Sequence, residues 1–162
     1  MKRISIALAA GLSLAAGVTW AHGHEHGHGH ATQVRALSTQ VQARHCWVRL
    51  MPGRAPAAAY LELENQGEQT VQLTGASSPS YGRAMVHQSS DKDGMSHMSH
   101  ADAVAIPAGG RLTLQPGGYH VMLEKPAAKL AIGESITLSL HLSDDTQVQT
   151  QCELRPPKTQ SY

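Results

Sequence analysis

The sequence predicts an all-β protein folded as a sandwich or barrel. Apolar and polar residues alternate with a period of two in several short segments, as expected for strands with one buried face. Clusters of Gly, Pro, Asn and Asp separate these segments, and such clusters mark turns. Beyond residue 21, no stretch carries a convincing helical period. Short strands joined by turns are typical of sandwiches and barrels.

The alternation is clearest near the carboxyl end of the chain. Ile136, Leu138 and Leu140 alternate with polar residues, and Asp-Asp at 144–145 then turns the chain. Earlier, the Asn-Gln-Gly of residues 65–67 ends a similar segment. The predicted strands cover residues 42–50, 59–64, 71–73, 83–88, 111–114, 119–123, 135–142 and 147–154.

Residues 1–21 have the composition of a secretory signal peptide. Lys2 and Arg3 precede an apolar run over residues 4–18, and Thr-Trp-Ala at 19–21 is a small-residue cleavage site. An uncleaved anchor is the alternative, but the run is short for a membrane span. Export is therefore expected, with no membrane span after cleavage. We expect a domain over residues 33–156 and a disordered carboxyl terminus over residues 157–162.

Composition excludes several functions. The formal net charge of +1 gives no sign of a nucleic-acid partner, and the absence of Phe leaves the core to Leu, Val, Ile and Ala. The chain has no Ser/His/Asp order, phosphate-binding loop or carboxylate pair with a recognisable spacing. We therefore expect a protein that is not an enzyme.

A histidine-rich tail, residues 22–32, follows the predicted cleavage site. Five imidazoles alternate with small or acidic residues, a composition that binds metal but cannot pack a core. After cleavage at Ala21, the amino group of His22 and the imidazole of His24 can form a square-planar site for Cu(II) or Ni(II). The alternative is a solvated tail with incidental affinity for several metals.

The two cysteines, Cys46 and Cys152, fall in the first long predicted strand and the last one. An even count in an exported chain favours a disulfide. A redox-active pair is the alternative, although the spacing is unlike Cys-x-x-Cys. A blue-copper site is disfavoured, because it needs a Cys ligand with His partners. No His lies between Cys46 and Met51, and neither His nor Met follows Cys152.

Four residues form a candidate soft metal site: His87, Met98, His120 and Met122. Thioether sulfur is a good ligand for Cu(I) and a poor one for magnesium, calcium or zinc. His120 and Met122 share a face if residues 119–123 form a strand, since side chains at i and i+2 project together. The Pro-Gly-Gly turn just before them predicts that His120 begins this strand, near a rim.

The other pair of ligands is placed by a hairpin signal, Asp-Lys-Asp-Gly at residues 91–94. A loop centred on Lys92 and Asp93 sets His87 opposite Met98, whereas a three-residue loop with a bulge at Gly94 shifts that register by one. Each ligand alone would be an ordinary core or surface residue. Their joint spacing, and the polar setting of Met98, favour the metal site.

Several other His and Met residues lie outside the four-ligand pattern. Met85 lies two residues before His87 and is a candidate to support the site from behind the ligands. The histidines at 97 and 100 and the methionine at 95 are either extra ligands or solvated hairpin residues. His45 and His141 lack a comparable context, and we interpret them as structural.

The spacing of the four ligands, ten residues and then twenty-one followed by His-x-Met, resembles that of periplasmic Cu(I) chaperones of the PCu(A)C type. The similarity covers residues 41–154 and extends to surrounding motifs at residues 47–49, 57–61, 75–79, 106–110 and 116–120. The resemblance implies a cupredoxin-like Greek-key sandwich with Cu(I) as its cargo. It also implies copper delivery in cytochrome oxidase assembly, with Sco-type thiol proteins and a cytochrome oxidase subunit as partners.

Two other functions stay open at this point. One is an exported zinc, nickel or copper buffer in which the histidine tail does the binding and the sandwich carries it. The other is a β-sandwich interaction module with incidental metal affinity. Metal preference without the tail separates the first from a chaperone, and replacement of Met98 and Met122 by Leu tests the second.

Overall fold

The structure, a computed structural model, describes residues 35–53, 55–92 and 94–162, and its regular structure there is entirely β. The prediction of an all-β protein is confirmed. Within these residues no helix is present that could cross a membrane. The strands are β1 (Ala36–Leu37), β2 (Val41–Arg49), β3 (Ala57–Asn65), β4 (Val71–Ser77), β5 (Tyr81–Lys92), β6 (Met95–His100), β7 (Val104–Ile106), β8 (Arg111–Leu114), β9 (Tyr119–Pro126), β10 (Ser135–Leu142) and β11 (Thr146–Arg155).

The strands join in one mixed sheet that encloses a single core. Their order is β6-β5-β9-β3-β2-β11-β10-β4-β7, with β8 paired to β3 and β1 paired to β11. Buried residues from β5, near one end of this order, and from β7, at the other end, belong to the same hydrophobic cluster. The sheet therefore curls into two layers, as the sandwich prediction required.

Alternation along β3 and β9 separates a core face from an outer face. In β3, Leu61 and Leu63 are buried in the core, and in β9 Val121 and Leu123 are fully buried there. Residues that alternate with them, such as His120 and Met122, must then project to the other side of the sheet. The candidate metal ligands consequently lie on the outer face of the sheet, outside the main core.

A β-bulge in β2 reverses which of its residues face the core. The pairing of β2 with β3 shifts between Arg44 and Trp47, and the intervening His45 has a φ of 54°. One extra residue in a strand moves the following side chains to the opposite face. Val48 therefore enters the core, while Trp47 and Arg49 face outward beside the candidate site.

Cys46 and Cys152 form a disulfide, as predicted. Their Cα atoms are 4.5 Å apart, although 106 positions separate them in the chain. Both cysteines are buried. They lie beside the parallel pairing of β2 with β11, where Trp47 is the register partner of Glu153. The bond therefore fastens the first long strand of the domain to the last.

Two short strands were not predicted. β1 has two residues and β7 has three, and such lengths carry too little periodicity to distinguish a strand from a loop. The predicted signal peptide and the histidine tail lie outside the described residues.

The described residues belong to one compact unit, Gln33–Tyr162. In residues 157–162, the Thr159 amide donates to the Pro156 carbonyl, and the Arg155 guanidinium lies 4.6 Å from the centroid of the Tyr162 ring. Disorder of this segment stays a prediction.

Candidate metal centre

Two of the predicted ligands face each other across neighbouring strands. His87 on β5 is the register partner of His120 on β9, and their ring centroids are 5.9 Å apart. One step along the same face, Met85 is the register partner of Met122. The antiparallel pairing of β5 and β9 therefore brings His87 together with His120 and Met122, which lie more than thirty positions further along the chain.

The hairpin of β5 and β6 differs from the predicted register. Lys92 pairs with Met95, so the chain turns between these two residues, and Met98 lies opposite Ser89. The predicted pairing of His87 with Met98 is wrong by two residues, because the loop lies one residue further along the chain than expected. Gly94 has a φ of 76°, which a residue with a Cβ rarely adopts.

The shift of two residues does not move Met98 to the other face of the hairpin. Side chains alternate with a period of two, so an even shift preserves the face. Met98 therefore still projects on the side of His87. His100 is the residue that directly opposes His87.

Three of the four predicted ligands line one cavity on the outer face. Its volume is about 300 Å³, and its lining includes Met98, His120, Met122, Tyr60 and Arg49. His87 is outside this lining but adjoins it through His120. Exposure rises across the site, since His120 is 4% exposed and Met98 is 54% exposed. The site therefore has one buried side and one side open to solvent.

His120 is held with one ring nitrogen free. Its Nδ1 lies 3.2 Å from the carbonyl oxygen of Gly118; because a carbonyl can only accept a hydrogen bond, Nδ1 carries the hydrogen and donates it. This contact leaves the lone pair of Nε2 available, an arrangement common in metal-binding histidines. Burial lowers the pKa of His120, and the charge of Arg49 lowers it further, although the Gly118 contact acts in the opposite direction.

His87 carries a buried ring nitrogen with an unmet bonding capacity. Its Nδ1 has no hydrogen-bond partner among the described residues. Burial lowers the pKa of His87, and the neighbouring imidazoles of His120 and His100 lower it further. An uncharged imidazole with an unpaired nitrogen can accept a metal ion, and a buried polar atom otherwise costs free energy.

Two aromatic residues cover the buried side of the site, and neither was predicted from the sequence to belong to it. The ring of Tyr60 lies 6.2 Å from that of His120 and 4.6 Å from that of Trp47, as measured between centroids. Arg49 donates a hydrogen bond to the Tyr60 hydroxyl and lies over its ring. The alternation in residues 59–64 is enough to predict that Tyr60 lies on the outer face. The outward orientation of Trp47 and Arg49 depends on the bulge in β2, which the sequence does not reveal.

The other His and Met candidates separate by face. Met85 and His100 lie on the ligand face, opposite Met122 and His87 respectively. Met95 and His97 are at odd-numbered positions of β6, so they project to the other face from Met98 and His100.

The remaining two histidines lie elsewhere in the sheet. His45 packs against Tyr162, with ring centroids 5.0 Å apart. His141 lies on β10, with its Nε2 3.0 Å from the Ser77 hydroxyl. Burial lowers the pKa of His141. These contacts are what we expect of residues with a structural role.

The donor set suits a soft ion better than zinc. Across residues 35–162, apart from 54 and 93, no three His, Cys, Asp or Glu side chains converge on one point. Structural and catalytic zinc sites use three or four such ligands. The four predicted ligands instead supply two imidazoles and two thioethers, and thioethers select Cu(I).

Residues 41–154 match the family model for LpqE-like lipoproteins, which spans most of the chain. The chain belongs to the LpqE-like family. One relative, Lxx21020 of Leifsonia xyli subsp. xyli, which is named as a lipoprotein, is 35% identical over 105 residues, or 64% of this chain and 63% of that protein. RP573 of Rickettsia prowazekii is 28% identical over 92 residues, 56% of this chain and 51% of that protein. The chain thus spans less than two thirds of either curated relative.

Solved structures similar to this LpqE-like chain include PCuAC domains. The solution structure of Cu(I)-bound DR1885 from Deinococcus radiodurans is 28% identical, with a TM-score of 0.57, and the match covers 79% of this chain and 85% of that one. The copper-bound PCuAC domain from PmoF2 is 21% identical, with a TM-score of 0.62, over 76% and 98% of the two chains. The resemblance to the PCu(A)C type and the cupredoxin-like β fold are confirmed.

Proposed function

We propose that this protein is an exported metallochaperone that carries Cu(I) on His87, Met98, His120 and Met122. The observation that carries the proposal is the meeting of these residues on one outer face. Two imidazoles oppose each other there, and both thioethers line the same cavity as His120. This donor set matches the preference of Cu(I) for soft ligands with imidazole.

The difference in solvent exposure between His120 and Met98 favours transfer of the ion over its storage. His120 is buried and its orientation is set by the Gly118 carbonyl, whereas Met98 stands on an exposed hairpin strand. A partner can therefore replace the Met98 sulfur first while the imidazoles still hold the ion. The ion then leaves by stepwise ligand exchange, and it is never released into water.

Copper binding by structural neighbours also supports the proposal. DR1885 is described as Cu(I)-bound, and the PmoF2 domain as copper-bound. The similarity to DR1885 extends over most of both chains, so the outer-face site of this protein lies within the shared domain. Copper is the cargo in this account, and the protein performs no chemistry on a substrate.

We place the protein in the periplasm and its delivery step in cytochrome oxidase assembly. Support for export comes from the signal-like composition of residues 1–21, from a family and one relative named as lipoproteins, and from a buried disulfide. Support for the destination comes from the PCu(A)C resemblance alone. On that basis Sco-type thiol proteins and a cytochrome oxidase subunit are the proposed partners.

A transfer experiment tests the function. Cu(I)-loaded protein is mixed anaerobically with a metal-free Sco-type protein, the two are separated, and copper is measured in each. Transfer should persist when the five tail histidines are replaced by Ser, and it should fall sharply when Met98 and Met122 are both replaced by Leu. Transfer that requires the tail but not the two methionines would instead indicate a metal buffer.

A further inference from the structure

Three histidines stand side by side across three neighbouring strands. His87 on β5 has His120 as its register partner on β9 and His100 as its register partner on β6. The ring centroid of His87 lies 5.7 Å from that of His100 and 5.9 Å from that of His120. His100 is not among the four Cu(I) ligands, so the row needs a separate explanation.

We propose that His100 is a further copper ligand, which joins His87 and His120 when the bound ion is Cu(II). This inference rests on the proposed function, because it adds a second binding mode to the same outer-face site. Cu(II) prefers nitrogen and oxygen donors in tetragonal geometry, whereas thioethers favour Cu(I). Three imidazoles with water suit the oxidised ion, and two imidazoles with two thioethers suit the reduced one.

The spacing of the row is compatible with a shared ion. At a nitrogen–metal distance of about 2.0–2.1 Å, two imidazoles on one ion have ring centroids roughly 4.5 Å (cis) to 6.5 Å (trans) apart. Both separations in the row fall in this range. The three rings do not yet converge. The His100 side chain is 53% exposed, so it has room to turn toward the other two.

The bonding of each ring also fits metal ligation. The Nε2 of His100 lies 3.3 Å from a carboxylate oxygen of Asp102, on the side of the ring away from Nδ1. His120 makes a hydrogen-bond contact from Nδ1 to the Gly118 carbonyl, which leaves its Nε2 for the ion. Metal-binding histidines usually donate their second N–H to such an oxygen. His87, in the middle, has a buried nitrogen with no partner among the described residues.

Met98 and His100 are natural alternatives to each other. They are two positions apart on β6, so both project on the ligand face, one thioether and one imidazole from the same strand. A small movement of the hairpin can present one or the other to the His87–His120 pair. The oxidation state of copper then determines which residue of β6 completes the site.

The experiment uses the complete mature protein with its tail histidines removed as competitors. In this background five residues are replaced: His22→Ser, His24→Ser, His26→Ser, His28→Ser and His30→Ser. Affinities for Cu(II) and, separately and anaerobically, for Cu(I) are measured by chelator competition in the background, in His100→Ala and in His97→Ala. His97 is the matched control, because it lies on the same strand but faces the other way.

His100→Ala should lower Cu(II) affinity by at least about tenfold and remove one nitrogen from the EPR spectrum, with Cu(I) affinity unchanged. His97→Ala should change neither affinity. Equal Cu(II) affinities in the two variants would overturn the proposal. An equal loss of Cu(I) and Cu(II) affinity in His100→Ala would also overturn it. The proposed Cu(I)-carrying function is tested separately by the Cu(I) affinity of Met98→Leu. A failure of that function can therefore be told apart from a failure of the His100 proposal.

Discussion

His87 and His120 oppose each other on β5 and β9 with ring centroids 5.9 Å apart, in a paired region that runs from Tyr81 to Gln88. The backbone ladder fixes the positions of both Cα atoms, so the nitrogen half of the site exists before metal arrives. The sulfur half is different, because methionine has three rotatable bonds and adapts to its surroundings. A rigid imidazole pair with mobile thioethers can hold an ion and still exchange ligands.

Replacement of Met98 by Leu should lower Cu(I) affinity by at least about tenfold, since even changes behind the ligands cost metal sites roughly 10- to 100-fold. Met122→Leu should have a similar effect. Leucine preserves the apolar volume and removes the sulfur. Anaerobic competition with a Cu(I) chelator provides the measurement.

Met95→Leu is the matched control for Met98→Leu. Met95 is 62% exposed on the same strand, but it projects to the opposite face. Neither exposed substitution should change the free energy of unfolding by more than about 0.5 kcal/mol. Equal Cu(I) affinities in Met95→Leu and Met98→Leu would remove Met98 from the ligand set.

Cu(I) affinity should depend on pH in a defined direction. Only neutral imidazole binds the ion, and burial lowers the pKa of both His87 and His120 from 6.5. Affinity should therefore stay level as pH falls from 8 to about 6.5 and decline only below that value. The measurement is chelator competition in the protein whose five tail histidines are replaced by Ser, with the chelator calibrated at each pH. A decline that begins above pH 7 would mean that these imidazoles are not buried as described.

Arg49 should tune this pH dependence. Its positive charge lowers the pKa of His120, so Arg49→Gln should raise that pKa and move the loss of Cu(I) affinity to higher pH. NMR titration of His120 in the metal-free protein measures the shift directly.

Arg44→Gln serves as the control, because Arg44 pairs with Glu64 and is absent from the charges that act on His120. An unchanged His120 titration in Arg49→Gln would show that the charge of Arg49 does not act on the pKa of His120.

The disulfide should contribute strongly to stability. Closing a loop across 106 positions stabilises the folded state by about 4–5 kcal/mol in the chain-entropy model. Replacement of both Cys46 and Cys152 by Ala should therefore lower the free energy of unfolding by about that amount, as measured with urea. If the variant remains folded, its Cu(I) affinity should be unchanged, since the ligands lie on β5, β6 and β9. A loss below about 1 kcal/mol would contradict the prediction.

Much of the fold could be predicted because period-two alternation is a local property. Residues 135–142 were predicted as a strand and form β10 with the same bounds. The face shared by His120 and Met122 follows from the same rule. The disulfide followed from an even cysteine count in an exported chain, without any knowledge of the sheet.

What could not be predicted depends on contacts distant in the sequence or on single backbone angles. The hairpin register depends on whether Lys92 lies in the loop or ends β5 by pairing with Met95, and both fit the Asp-Lys-Asp-Gly signal. The bulge at His45 is a single φ value, yet it determines that Trp47 and Arg49 face the site. The row of His100, His87 and His120 exists only once three strands are paired, which no local pattern reveals.

X-ray absorption at the copper edge of the reduced, Cu(I)-loaded protein tests the central claim most directly, because it counts the sulfur and nitrogen neighbours of the ion. In the protein without tail histidines, we expect two sulfur and two nitrogen neighbours. Met98→Leu should remove one of the two sulfur neighbours. A copper ion surrounded by nitrogen or oxygen alone would contradict the central claim.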